Sequence, residues 1–241
     1  MSPPRADPEW RPGATGTSGL AGRTFAGFLA GLDPPAASAL TAAGQVREIA
    51  RGEVLCAAGE PAEAVYVVLA GAAKLTAWAA NGRELVLDVV EPGALVGELA
   101  AIDGGPRTAT VSALTELRVL AVPAGRFRAL LAQQPSLNAA VLALLAGRVR
   151  VATERQVELG ANDALGRVCR LLLDLAARAG ASGDGWFPVP LSQHDLASWS
   201  GLSRDAFVKG LRAVRTLGWA ELDGRRGAIV DRAALERRAA G

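Results

Sequence analysis

The chain has 241 residues, half of them hydrophobic and 21% charged, which supports one large or two small globular domains and excludes a disordered chain. A formal charge of +2 excludes a polycation, so any nucleic-acid binding has to come from a local basic face. Two distant cysteines (Cys56 and Cys169) and a single histidine speak against a disulfide framework, a zinc site or an enzyme built on a nucleophile–base pair.

In chain order, residues 1–22 read as a disordered tail, rich in Pro, Gly and Arg and without the apolar core of a signal peptide. A short helical stretch over 24–32 is expected to stop at Asp33-Pro34-Pro35. From Val46 to Val122 the pattern turns to short β-type runs, at 54–56, 65–69, 75–78, 85–90 and 117–122, with glycines at 52, 59, 71, 82 and 93. Together these predict an antiparallel roll of about 80 residues. Asn81-Gly82 between two of the runs predicts a tight type I′ hairpin.

Beyond Pro123 the periodicity becomes helical. One helix is predicted over 124–134, and Pro135-Ser136 opens a longer one reaching about 159. Leu137, Val141, Leu142, Leu144, Leu145, Val149 and Ala152 form its apolar stripe, diluted by Arg148 and Arg155. At 1.5 Å per residue the helix is about 35 Å long and outspans a small roll, so its far end is expected to pack on a second copy. The longest uninterrupted apolar run, 139–146, is far short of the roughly 18 residues of a membrane span. No membrane partner is expected, and a cytoplasmic location follows.

The last 80 residues carry 12 Lys and Arg against 9 Asp and Glu. A helix over 164–179 and a Gly- and Pro-rich turn over 180–190 come first. Ser192 then caps a helix, with Asp195 where a capping carboxylate belongs. Gly201 ends that helix and Ser203 caps the next, over 204–217. Helix, tight Gly turn, helix is the helix-turn-helix pattern. Runs at 219–222 and 228–230 around Asp223-Gly224-Arg225-Arg226-Gly227 predict a hairpin with a basic tip, a wing, and Asp231 caps a last short helix.

The segment Gly97-Glu98-Leu99-Ala100-Ala101-Ile102-Asp103-Gly104-Gly105-Pro106-Arg107-Thr108 holds the most chemistry. Gly97 permits close backbone approach to a ligand. Arg107 offers a planar cationic fork suited to phosphate oxygens, and Glu98 an acceptor suited to sugar hydroxyls. The same residues also suit a Gly-rich turn with an Arg–Glu pair on the surface.

This segment resembles the phosphate-binding cassette of cyclic-nucleotide-binding domains, and from Thr24 to Gly241 the order of roll, long helix and winged helix resembles the CRP/FNR family of bacterial regulators. The resemblance implies an α+β protein with a sensor domain at 23–134, a dimerisation helix at 135–160 and a DNA-binding domain at 161–241. It implies an effector, cyclic AMP or cyclic GMP, held by Gly97, Glu98, Leu99, Ala100, Arg107 and Thr108, with no other cofactor required. Glu98 would bind the ribose 2′-hydroxyl, Arg107 the cyclic phosphate. Ala152 and Thr153 fall where cyclic-AMP receptors carry a Thr-Ser pair that reaches the base. Ala152 has no hydroxyl, which leaves the base open. Iron–sulfur members of the family need several cysteines. Haem members need an axial histidine, and the one histidine here, His194, sits in the helix-turn-helix.

Leu202-Ser203-Arg204-Asp205-Ala206-Phe207-Val208-Lys209 resembles the start of the family's recognition helix. Arg204 can pair with guanine and Asp205 with cytosine N4, while Lys209 lies one turn on. Ser192, Gln193, His194, Ser203, Arg225 and Arg226 are candidate backbone contacts. Phe207, Val208, Leu211, Val214 and Leu217 are expected to face the core. The implied partners are double-stranded DNA, a second copy of the chain and, for an activator, RNA polymerase. Two other readings stay open: a ligand-independent regulator with a relic pocket, and a regulatory subunit that uses its winged helix for protein contact. Arg107→Ala is expected to abolish ligand binding and leave the fold intact.

Overall fold

The structure, a computed structural model, describes residues 28–181 and 185–240, so the expected tail lies outside the described residues. The chain divides between Val157 and Glu158 into two compact units.

The first unit opens with a 3-10 turn at Leu29–Gly31 and helix α1 (Pro34–Ala43), whose N-cap Asp33 accepts from Ala36 N at 2.8 Å. The helical turn does end before Asp33, as expected, but the two prolines also start a helix that was not expected. The first helical positions need no N–H donor, and proline's fixed φ suits them. Strands follow as β1 (Gln45–Ile49), β2 (Val54–Cys56), β3 (Ala64–Ala70), β4 (Ala73–Trp78), β5 (Glu84–Val90) and β6 (Leu95–Val96). After helix α2 (Glu98–Asp103) come β7 (Thr110–Ala113) and β8 (Leu117–Pro123), then helices α3 (Ala124–Gln133) and α4 (Pro135–Ala161). The strands pair antiparallel in two four-stranded sheets, ordered β1-β8-β3-β6 and β2-β7-β4-β5. The hairpin between β4 and β5 is not type I′, since Gly82 is left-handed (φ +76°) but Asn81 is not. Gly82 N donates to Ala79 O at 2.9 Å, which fits a type I turn followed by a left-handed glycine.

Strand β3 explains why its run is continuously apolar. Tyr66 and Val68 point between the two sheets, with Val96, Val111 and Val119. Val65 and Val67 point to the other face, where Leu40, Phe127, Leu137, Val141 and Leu144 cover them. A strand buried on both faces has no polar side to alternate with. By length and composition Pro135–Val157 of α4 could also cross a bilayer, although no uninterrupted run is long enough. Its buried leucines and valine pack on protein instead.

The second unit contains α5 (Ala164–Arg178), β9 (Trp186–Pro188), α6 (Gln193–Trp199), α7 (Arg204–Thr216), β10 (Ala220–Asp223), β11 (Arg226–Ile229) and α8 (Arg232–Ala239). Val168, Leu172 and Leu175 of α5, Leu196 of α6, Phe207 and Val214 of α7 and Leu235 of α8 are fully buried together. The segment read as a turn over 180–190 holds strand β9, which pairs with β11 and makes the wing part of a three-stranded sheet, β10-β11-β9. Val208 and Leu211 are half-buried, but Leu217, expected in the core, is the exposed C-cap of α7.

Candidate functional site

Strand β6 hands the chain to Gly97, whose left-handed φ of +78° turns it into α2. A Cβ on Gly97 would meet Arg107 Nη1, so glycine suits both the left-handed turn and the seat of the arginine. Arg107 is 5% exposed. It donates from Nη1 to Gly97 O at 2.8 Å and from Nη2 to Ala64 O at 2.5 Å, and lies over the Tyr66 ring, 5.6 Å from its centroid. Glu98 is completely buried and pairs with Arg148 of α4, which also donates to Leu95 O at 2.6 Å. These groups wall a small pocket open to solvent, with Cys56, Leu75, Val96, Leu99, Ala100 and Thr108 among its other lining residues.

Arg107 and Glu98 therefore do not form an Arg–Glu pair on the surface. Both are buried, and each has its own partners. Two of their polar atoms, Arg107 Nε and Glu98 Oε2, are buried without a hydrogen-bond partner among the described residues. An unpartnered buried polar atom costs about 1–3 kcal/mol, more when charged, so two residues that line the pocket, Glu98 and Arg107, each keep unmet hydrogen-bonding capacity. Burial pushes the Arg148 guanidinium down to about 10, with Asp88 working against the shift, and it stays cationic at neutral pH. Burial likewise raises the Cys56 thiol, with Arg107 opposing, which makes Cys56 a packing residue and not a nucleophile.

Of the residues expected at the ligand, Gly97, Glu98, Leu99, Ala100, Arg107 and Thr108 come together at this pocket. Ala152 and Thr153 are not among its lining residues. Both are exposed on α4, and the Thr153 hydroxyl donates to Val149 O at 2.9 Å within its own helix. Arg148 was missed. It had seemed only to interrupt an apolar stripe, yet the signal was there: it falls four residues after Leu144, on the helix face that Leu137, Val141 and Leu144 bury. Arg107→Ala would also leave two carbonyls without their cationic donor, so an effect on stability as well as on binding is now expected.

In the second unit, Ser192 and Asp195 form a capping box, with Asp195 N donating to Ser192 Oγ at 3.1 Å and Ser192 N to Asp195 Oδ2 at 3.2 Å. Gly201 (φ +69°) makes the turn, and Ser203 caps α7 by accepting from Ala206 N at 3.2 Å. Gln193, His194, Arg204, Asp205 and Lys209 are all exposed, as is Arg212, a cation one turn beyond Lys209 that the sequence reading passed over. Arg226 is less free than its place in the wing suggested. It pairs with Asp223 at 3.1 Å and stacks 5.0 Å over the Trp186 ring. Arg225 is exposed and donates to Pro190 O at 3.2 Å.

Comparison with known proteins matches residues 46–134 to the family described as Cyclic nucleotide-binding domain and residues 166–238 to the Crp-like helix-turn-helix domain. The chain is 34% identical over 216 residues to the CRP-like cAMP-activated global transcriptional regulator of Mycobacterium tuberculosis, covering 89% of this chain and 96% of that one. It is 30% identical over 175 residues to the cyclic AMP receptor protein of Thermus thermophilus, covering 72% and 78%. Among solved structures it resembles FixK2 from Bradyrhizobium japonicum in fold, with TM-score 0.71 and 24% identity over 82% of this chain and 98% of that one. The catabolite activator protein of Thermus thermophilus matches with TM-score 0.51 and 28% identity over 89% and 98%. A sensor roll and a helix-turn-helix, matched in order and over most of both lengths, make the chain a member of the CRP/FNR family of bacterial transcription regulators, with a cyclic nucleotide-binding domain and a Crp-like DNA-binding domain.

Proposed function

We propose that the protein is a homodimer whose roll binds a cyclic mononucleotide and whose paired recognition helices then read a palindromic operator. The observation that carries the ligand reading is Glu98, an entirely buried carboxylate with one oxygen unpartnered on the pocket wall, beside a buried arginine with an unpartnered Nε. A sugar hydroxyl joined to a cyclic phosphate offers one group for each. Cyclic AMP is the first candidate, since the relatives at 34% and 30% identity are named for it, with cyclic GMP the alternative.

The dimer reading rests on α4. Leu142, Val149 and Val157 are 62%, 66% and 64% exposed, and they lie on the helix side turned away from Leu137, Val141 and Leu144. Ala152 and Thr153 are exposed on the same helix, so a part for them in base recognition depends on a second copy. Ligand binding would then bias two settings of the DNA-binding unit. RNA polymerase is the downstream partner if the protein activates, and steric exclusion suffices if it represses. The domain limits fitting this scheme are 23–134, 135–160 and 161–241, and its setting is the cytoplasm.

Calorimetric titration with cyclic AMP, cyclic GMP and a cyclic dinucleotide, in separate runs, tests the pocket. Micromolar binding of a mononucleotide is expected, and silence from all three would leave a relic pocket. For the DNA side, Arg204→Ala is expected to cost about 1–3 kcal/mol on an operator selected by the wild-type protein. An equal loss on random DNA would demote Arg204 to a phosphate contact.

A further inference from the structure

Helix α4 is fastened to the roll in two chemically different ways. Its first turns bury Leu137, Val141 and Leu144 in the core. Farther along, the same face carries Arg148 and Arg155, seven residues and about 10 Å apart. Arg155 donates to Leu87 O, and its Nη2 lies 3.8 Å from Asp88 Oδ1. Arg148 holds Glu98 and Leu95 O.

Asp88 is the unusual member. It sits within β5 between Leu87 and Val89 and is 4% exposed. A buried carboxylate in a strand costs several kcal/mol of desolvation unless it is paired, and an apolar residue there would pack more cheaply. Its Oδ1 accepts from Val89 N at 2.8 Å, and both arginines of α4 lie in its field. An apolar seam resists opening in proportion to its area. A seam of ion pairs and carbonyl hydrogen bonds exchanges its partners for water at a small net cost. The arginine-held half of α4 is thus the half that can let go, and one of its two fastenings is the pocket carboxylate itself.

We propose that Asp88 is a positioning residue: through Arg155, and with Arg148, it latches the second half of α4 to β5 and so couples occupancy of the Glu98–Arg107 pocket to the helix that leads into the DNA-binding unit. The coupling rests on the ligand-sensing reading above; the latch does not.

The test is hydrogen exchange on the full-length protein, wild type, Asp88→Asn and Asp88→Glu, with and without cyclic AMP. Without nucleotide, Asp88→Asn should speed exchange of the amides over 149–157 at least ten-fold, while 137–145 stays as in the wild type and Asp88→Glu restores most of the protection. Unchanged exchange over 149–157, or equal loosening of both halves, would overturn the latch. With cyclic AMP, exchange over 149–157 should change in the wild type and stay the same in Asp88→Asn. A nucleotide response surviving intact in the variant would overturn the coupling. Calorimetric silence of the wild type toward cyclic AMP would instead count against the ligand reading, and the nucleotide-free comparison would still decide the latch.

Discussion

Arg148→Met should lower the stability of the roll by about 3–5 kcal/mol, the usual effect of removing one partner of a buried ion pair. The reason lies in the asymmetry of the pair. The Glu98 side chain is 1% exposed and that of Arg148 18%, so the carboxylate left behind cannot reach water. Leu95 O loses its donor as well. Methionine keeps much of the apolar volume of the arginine stem, which limits the effect to the charge and its hydrogen bonds. Urea unfolding, followed by a probe in the roll, measures it. The loss should shrink as the pH falls, because the orphaned carboxylate can then take up a proton and be buried neutral: the folded variant binds more protons than its unfolded chain there, so stability rises toward acid. A variant as stable as the wild type at neutral pH would mean that Glu98 finds water or another donor.

Arg107→Ala comes next, with an expected cost of about 2–5 kcal/mol in stability together with loss of nucleotide binding. Gly97 O and Ala64 O each lose a cationic donor, at about 1–3 kcal/mol apiece, and the packing on Tyr66 goes with them. Arg107→Lys separates the two roles. Lysine keeps the charge but not the fork that spans both carbonyls. It should therefore retain part of the nucleotide affinity while recovering little of the stability. Calorimetric titration and unfolding on both variants provide the check. A stable Arg107→Ala protein that merely fails to bind would show that the arginine belongs to the ligand and not to the wall.

Periodicity and caps made much of this architecture legible. The short β-type runs and glycines over 46–122 pointed to a roll, and Ser192, Asp195, Gly201 and Ser203 placed α6 and α7 because a capping residue acts within its own turn. What escaped depends on partners distant in sequence. Three residues of β9 carry no pattern of their own and become a strand only because β11, some 40 residues on, offers a free edge. Pro34-Pro35 reads as a stop or a start according to what lies on either side, and the missing context was Leu40 buried against the roll. In the pocket, the cassette marked Glu98 and Arg107, but Arg148 reaches Glu98 across 50 positions. No local rule joins an arginine on a helix to a glutamate after a strand. The twofold duty of Arg107, facing a ligand and bracing two carbonyls, is likewise invisible until the backbone of β3 is in place.

The two cysteines have a practical consequence. Both are buried and burial raises both thiols, so a thiol reagent meets Cys169 only when its unit opens, and Cys56 either then or by way of the pocket it lines. Cys56 belongs to the roll and Cys169 to the winged-helix unit, one in each. Their labelling rates are thus separate built-in reporters, Cys56 of the roll and its pocket and Cys169 of the winged-helix unit, readable by mass spectrometry on the unaltered chain.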